Sequence, residues 1–465
     1  MRRMSKYLKQ ILAAFVIVSQ ISVVNVHATD INAIDTRTEV LPEDLEEVEN
    51  AAKKAHNMAV ASNEWTEWPE GPKTYGEAGI VMDAESGAIL YAKNIDGKSY
   101  PASITKILTL LIALENGKMD DTVTITEKSM ECVRSGYAHI GLQLGEKISL
   151  EESLYALMLA SANEAAQGIA ESVGEGNDWF LEEMNRRTKE LGGMNSNFVN
   201  PNGMENPEHY TTARDMALIA RELILNHPEF ESICQTVQYV IEDTNRTDED
   251  RVFQQKHQMF IEGSEHFNPN VIAGKTGFTD LAKNTLVTCA EKNGMKLICV
   301  VLKTHGKNVY TDTQKLLDYG FDKFERIQID ANEASDDIIA FDQEAYAVVP
   351  KGVTFDSLEM KLEPIEGESD KAMAVYTYNE AVVGSFKVTV DEELTEEPQE
   401  TTESEESLDI RTIVKYVLIA CTVLLFILIS IYIKLILKMR KKKKEAERRR
   451  KRRQQEIERR RHRNH

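Results

Sequence analysis

Hydrophobic and polar positions along the chain alternate with two periods, and the period changes four times. Ala78-Gly-Ile-Val-Met-Asp83 and Ala88-Ile-Leu-Tyr91 are short apolar runs on either side of Ser86-Gly87, which predicts a hairpin. The period then lengthens to that of amphipathic helices over Ile104 to Glu115, Leu150 to Val173, Asp178 to Leu191 and Thr211 to Leu225. Strand-like runs return at Val271 to Ala273, Thr285 to Ala290 and Met295 to Leu302, the last two flanking the turn signal Asn293-Gly294, and a helix follows around Thr311 to Tyr319. Strands before and after a helical middle predict an α+β body whose single antiparallel sheet gathers both ends of the sequence. From Ile327 to Val390 short β-like runs such as Tyr346-Ala-Val-Val349 and Gly384-Ser-Phe-Lys-Val-Thr-Val390 predict a separate small β-rich domain.

Two apolar segments lie outside this pattern. The first, Ile11 to Val26, follows Arg2, Arg3, Lys6 and Lys9 and ends at Val26-His27-Ala28, the layout of a signal peptide over residues 1–28; an uncleaved anchor is the alternative. The second, Tyr416 to Ile433, has 18 residues without a charge and fits a transmembrane helix over 413–437. From Lys434 to the C-terminus there are 17 Lys and Arg against 4 Glu, so the tail 438–465 is expected in the cytoplasm and everything before the span outside it, in a single-pass cell-membrane protein. A buried helix of a soluble domain is the alternative for the span. Residues 29–74 are acidic and alanine-rich, helical from Pro42 to Met58, and read as a spacer; residues 391–412 are nearly all Glu, Thr, Ser and Gln and read as an extended tether.

The net charge of -21 over 465 residues, with so basic a tail, leaves the main body strongly acidic. That argues against nucleic acid as its partner, whereas the apolar span and tail suit membrane lipids. Cys132, Cys234, Cys289 and Cys299 show no metal-ligand spacing, and buried free thiols are favoured over a Cys289 to Cys299 disulfide.

Candidate chemistry begins at Pro101-Ala-Ser-Ile-Thr-Lys106. Ser103 at a helix start with Lys106 one turn later puts a hydroxyl and an amine on one face, and the run Ile107 to Leu114 is apolar enough to desolvate the lysine and make it a base. Such a pair alone is expected about once or twice by chance in a chain of this length, and the plain alternative is a helix cap with a surface lysine. Two further signals follow in order: Ser161-Ala162-Asn163 inside an apolar run, and Lys275-Thr276-Gly277 at the end of a strand. That ordered trio serves penicillin-binding proteins and class A β-lactamases. The serine needs a base, the base a polar neighbour, and a peptide carboxylate a cation and a hydroxyl beside a strand edge, which Gly277 lets the substrate approach. The backbone N–H groups of Ser103 and Phe278 are candidates for an oxyanion hole.

From about Gly79 to Phe324 the chain resembles the D-alanyl-D-alanine carboxypeptidases, the low-molecular-mass penicillin-binding proteins. The likeness runs through the trio and through Phe198-Val-Asn-Pro-Asn-Gly203, His209-Tyr-Thr-Thr-Ala213, Asp215-Met-Ala217, Lys275-Thr-Gly-Phe-Thr279 and Leu316-Leu-Asp-Tyr-Gly-Phe321. It implies a penicillin-binding catalytic fold over 75–325 followed by a β-rich domain over 326–390. It implies Ser103 as acylated nucleophile, Lys106 as its base, Ser161 and Asn163 as polar support and proton relay, and Lys275 and Thr276 as carboxylate anchors. The implied reaction removes the terminal D-alanine from peptidoglycan stem pentapeptides, with β-lactams as acylating inhibitors and with no cofactor or metal. A DD-endopeptidase, a β-lactamase-like hydrolase and a catalytically silent wall scaffold are the alternatives. The chain departs from the family at Glu164, where Asp is common, at Lys283-Asn284 after Ala282, and before Leu316, where the nearest cations are Lys303 and Lys307 rather than an arginine.

Overall fold

The apolar run Leu297–Leu302 forms the centre of the molecule, because every one of its residues is fully buried although alternate side chains point to opposite faces of a strand. A computed structural model describes residues 42–305, 308–329, 337–341, 344–365 and 367–391 of the chain. In it, β1 (Gly76–Asp83) and β2 (Ile89–Lys93) join β3 (Val271–Thr279), β4 (Lys283–Lys292) and β5 (Met295–Thr304) in one antiparallel sheet of order β2-β1-β5-β4-β3. The expected gathering of both chain ends into a single sheet is thus observed. Asn293 and Gly294, both with positive φ (54° and 79°), make the tight β4–β5 turn.

The helices between β2 and β3 include α1 (Thr105–Asn116), α2 (Asn163–Ser172), α3 (Asn177–Glu190) and α4 (Ala213–Asn226); α5 (Val309–Lys323) follows the sheet. Both α4 and α5 pack against β5, which accounts for its burial. Helix α1 is buried from Thr105 to Ala113 and has no exposed face over that stretch, so it runs through the core rather than over it.

One expected helix is broken. The periodicity over Leu150 to Val173 is uninterrupted, yet the chain forms a helix at Leu150–Tyr155, a π-helical turn at Ala156–Ala160 and a left-handed residue at Ser161 (φ 62°) before α2 begins. Hydrophobic spacing carries no record of a single left-handed residue, since the side chains on either side still face the core.

The stretch 42–74, expected as a spacer, is docked on the body. The helix Pro42–His56 turns Ala52 and Ala55 inward, and Lys93, itself fully buried on β2, donates to Ala55 O (2.8 Å) and Thr74 O (2.7 Å). Trp68 packs on Phe324 and donates from Nε1 to Leu90 O at 2.9 Å. An acidic composition concealed this docking, because the contact face consists of alanines and two indoles while the charges point outward.

After α5, Phe324–Gln328 pairs with Tyr346–Pro350, and Ile338–Phe341, Glu359–Ile365, Glu368–Tyr378 and Ala381–Val390 form a four-stranded antiparallel sheet. These strands share a hydrophobic core with the main body, and Tyr378 Oη donates to Glu67 Oε2 at 2.7 Å. The four cysteines outside the apolar span are free and buried. Among the described residues no helix is long and apolar enough to cross a membrane. The signal peptide, acidic tether, apolar span and basic tail expected from the sequence lie outside the described residues.

Candidate active site

Ser103 sits in a single 3-10 turn, Ala102–Ile104, that runs straight into α1, so Lys106 falls on the first turn of a buried helix, beneath the serine. Its Nζ is fully buried and has three oxygen partners: Ser103 Oγ at 3.1 Å, Asn163 Oδ1 at 2.8 Å and Asn202 O at 2.6 Å. Burial pushes the Lys106 amine well below the ordinary lysine range, and the neighbouring charges of Lys275 and Lys256 push it further in the same direction. A neutral amine has two N–H groups and one lone pair. In that form the two amide carbonyl oxygens of Asn163 and Asn202 would take the N–H groups and leave the lone pair for the Ser103 hydroxyl; in the protonated form all three oxygens accept from Nζ. The geometry therefore prepares a base against a nucleophile.

The turn that presents Ser103 is held from several sides. Ala102 is in the left-handed region (φ 52°), and Thr105 Oγ1 donates to its carbonyl at 2.9 Å. Thr105 Oγ1 in turn meets His209 Nε2 at 2.9 Å. Since Val199 N–H donates to Nδ1 of His209 (3.1 Å), the ring carries its proton on Nε2 and donates to the threonine. Burial, then the charge of Lys106, lowers the His209 pKa to about 3, so the imidazole stays neutral. On the other flank Thr285 Oγ1, from β4, donates to Pro101 O at 2.9 Å.

Strand β3 closes the site. A β-carbon on Gly277 would stand 3.0 Å from Ser103 N and 3.1 Å from Ile104 N, so only glycine lets this strand edge approach the serine's N–H so closely. Lys275 is buried, donates to Thr276 O at 3.1 Å, and has its pKa pushed down to about 7 by burial and then by Lys256. Thr276 is half-buried and Phe278 is exposed at the rim.

The residues named from sequence thus converge, with differences in directness. Ser103, Lys106 and Asn163 form one hydrogen-bonded group; Gly277 abuts it, and Lys275 acts on Lys106 through its charge. Ser161 is buried beside Asn163, but among the described residues no hydrogen bond joins its Oγ to Lys106. Of the two cations noted before α5, Lys303 is paired with Glu77 at 3.0 Å, and Lys307 lies outside the described residues. Sequence reasoning quoted the Phe198 to Gly203 segment for its likeness but gave no role to Asn202, whose contribution is a main-chain carbonyl, and none to Lys256, whose charge reaches both lysines. It also assigned nothing to Cys132, whose Sγ accepts from Asn202 Nδ2 at 3.3 Å. The Asn200-Pro-Asn-Gly203 turn signal could have flagged the first of these.

Residues 66–306 match the family model described as D-alanyl-D-alanine carboxypeptidase. The chain is 34% identical over 256 residues to the D-alanyl-D-alanine carboxypeptidase DacF of Bacillus subtilis, covering 54% of this chain and 63% of that protein. It is 32% identical over 263 residues to DacA of Haemophilus influenzae, covering 55% of this chain and 64% of that one. The match therefore spans a little under two thirds of these relatives. The solved structure of penicillin binding protein 5 from Haemophilus influenzae superposes with a TM-score of 0.55 at 25% identity, over 69% of this chain and 98% of that one.

Proposed function

The chain belongs to the D-alanyl-D-alanine carboxypeptidase family, and from that premise we propose that it is a serine-type D-Ala-D-Ala carboxypeptidase acting on peptidoglycan stem pentapeptides. The observation that carries the proposal is the buried Lys106 Nζ, 3.1 Å from Ser103 Oγ and held by two carbonyl oxygens, an arrangement in which the neutral amine would turn its lone pair to the hydroxyl.

Lys106 takes the Ser103 hydroxyl proton as Oγ attacks the carbonyl carbon of the penultimate D-alanine. Charge building on the carbonyl oxygen meets the N–H groups of Ser103 and Phe278, which the glycine at 277 allows to face one pocket. The C–N bond breaks, the proton passes to the leaving amine through Lys106 with Ser161 and Asn163 as support, and D-alanine departs. Water then attacks the ester on Ser103, with Lys106 accepting its proton; the bond between the acyl carbon and Oγ breaks, the proton returns from Lys106 to Oγ, and the shortened peptide leaves. Lys275 and Thr276 bind the terminal carboxylate, which selects peptides that end at this position. A β-lactam enters by the same first step, but its amine stays tethered to the acyl group, so the ester persists.

We place the catalytic body outside the cytoplasm, on the signal-like start and on the apolar span with its basic flank, which serves as a lipid-attracted anchor. The test is intact-mass analysis of the full chain in detergent after exposure to penicillin, beside Ser103→Ala, with D-alanine release from a pentapeptide followed in parallel. An adduct and D-alanine release, both lost in the variant, are expected. An adduct without release would move the reading to the endopeptidase, and no adduct on folded protein to the silent scaffold.

A further inference from the structure

Asn163 and Glu164 are adjacent at the start of α2 and grip two different parts of the molecule. Asn163 Oδ1 accepts from Lys106 Nζ at 2.8 Å, while the backbone N–H of Asn163 donates to Ala138 O at 3.0 Å. Glu164 is fully buried; its Oε1 accepts the backbone N–H of Ile140 at 2.7 Å, and its Oε2 is buried with no hydrogen-bond partner. The loop segment Ala138–Ile140 is therefore tied twice to the residues at the head of α2. A buried carboxylate with one oxygen unmatched is destabilising by itself, and an apolar side chain there would avoid that cost. Its presence calls for a task that an apolar side chain cannot perform.

We propose that Glu164 is a positioning residue for acylation of Ser103: by pinning Ile140 it fixes the first turn of α2 and keeps Asn163 Oδ1 on Lys106 Nζ. The inference rests on the serine–lysine reading above. Glu164 touches neither the nucleophile nor the substrate-binding strand, so it acts through Asn163. Its charge has a second effect. Lys106 is faced by Lys275 and Lys256, which lower its pKa, and by Cys132 and Glu164, which raise it. Glu164 is itself faced by His139 from the tied loop; burial raises its pKa, while the N–H of Ile140 and the charge of His139 favour the ionised form.

The test compares the full chain in detergent with Glu164→Gln and Glu164→Ala, measuring single-turnover acylation by labelled penicillin across pH, D-alanine release and thermal melting. Glutamine keeps an acceptor for Ile140 and removes the charge, so E164Q should stay within about threefold of the unsubstituted rate, with its acid limb moved to lower pH. E164A should lose about 10- to 100-fold, in kcat and not in KM, the loss expected when a base is displaced by a fraction of its bond length. Acylation of E164A at the unsubstituted rate, or equal losses in both variants with an unmoved acid limb, would overturn the proposal. If E164A does not fold, Glu164→Asp decides: it keeps the charge but draws the carboxylate back from Ile140, so a loss of about 10-fold or more with an unmoved acid limb supports the proposal, and acylation at the unsubstituted rate overturns it. Failure of the unsubstituted chain to label would instead remove the serine–lysine reading beneath it, and shows before any variant is compared.

Discussion

Gly203 lies against the carbonyl of Ala102: a β-carbon at position 203 would overlap Ala102 C and O, and both residues hold positive φ, 83° and 52°. Ala102 immediately precedes the nucleophile, so the backbone turn that aims Ser103 is braced by a glycine from a different part of the chain. Strain of this kind persists only where surrounding structure imposes it. Gly203→Ala should therefore displace Ser103 and destabilise the fold by about 3 kcal/mol, combining overlap with an unfavourable φ. Urea unfolding and penicillin acylation measured on the same preparation check this, and an alanine variant that acylates normally would show that the brace is dispensable.

Lys106 should not tolerate a permanent charge. Arginine cannot give up its proton in a protein, so Lys106→Arg removes the base while keeping a cation, and acylation should fall by about 100- to 10,000-fold. Rapid-mixing mass spectrometry with penicillin is the readout. A variant that still acylates at near the unsubstituted rate would assign the proton to another group.

The two lysines should give opposite pH limbs. Lys106 must be neutral to act, and burial lowers its pKa, so acylation rises with pH across its acid limb. Lys275, with its pKa pushed down to about 7, is cationic below that value and loses its charge above it. For a peptide ending in a carboxylate, kcat/KM should fall as pH rises through about 7, while kcat at saturation holds because the bound carboxylate retains the proton on Lys275. The control is penicillin against a β-lactam ester: only the free acid should show the alkaline fall.

Lys93 should hold the N-terminal helix in place. Its Nζ donates to Ala55 O, Thr74 O and Thr74 Oγ1 at 2.8, 2.7 and 3.1 Å. Lys93→Met would remove all three bonds: Ala55 O keeps the N–H of Met58 and Thr74 Oγ1 keeps Tyr91 Oη, but Thr74 O would be left unmatched at about 1–3 kcal/mol. Hydrogen exchange should accelerate across residues 42–74 and stay unchanged in β5, whereas uniform acceleration would mean that the segment unfolds only with the whole body.

What the sequence disclosed, and what it hid, divides by the kind of atom involved. The strands from Ala78, Thr285 and Met295 and the helix behind Ser103 follow from side-chain polarity, and they appear within a few residues of their expected bounds. Ser103, Lys106, Asn163 and Lys275 announce themselves because the roles proposed for them need those side chains, and Gly277 because its place beside Ser103 N needs the absence of one. Asn202 does not, because what reaches Lys106 is a main-chain oxygen that any residue would carry. The left-handed Ser161 was hidden for the related reason that backbone dihedrals leave little trace in hydrophobic spacing. The docking of residues 42–74 was masked by charges on their outer face, although Trp65 and Trp68 were visible in the sequence.

The position of β5 between β1 and β4 sets the order in which the molecule can assemble. Strands β1 and β2 are made first, yet β1 has no second neighbour until β5 exists, and β3 and β4 join the sheet only through the same strand. The serine, its lysine and the apolar helix that carries them are thus synthesised long before the surface that buries them. Such non-local pairing makes for slow folding. A chain cut between Lys292 and Met295 should hold the whole Ser103–Lys106 motif and still form no site, so the late-arriving strand, which contributes no reactive group, decides when the site is complete.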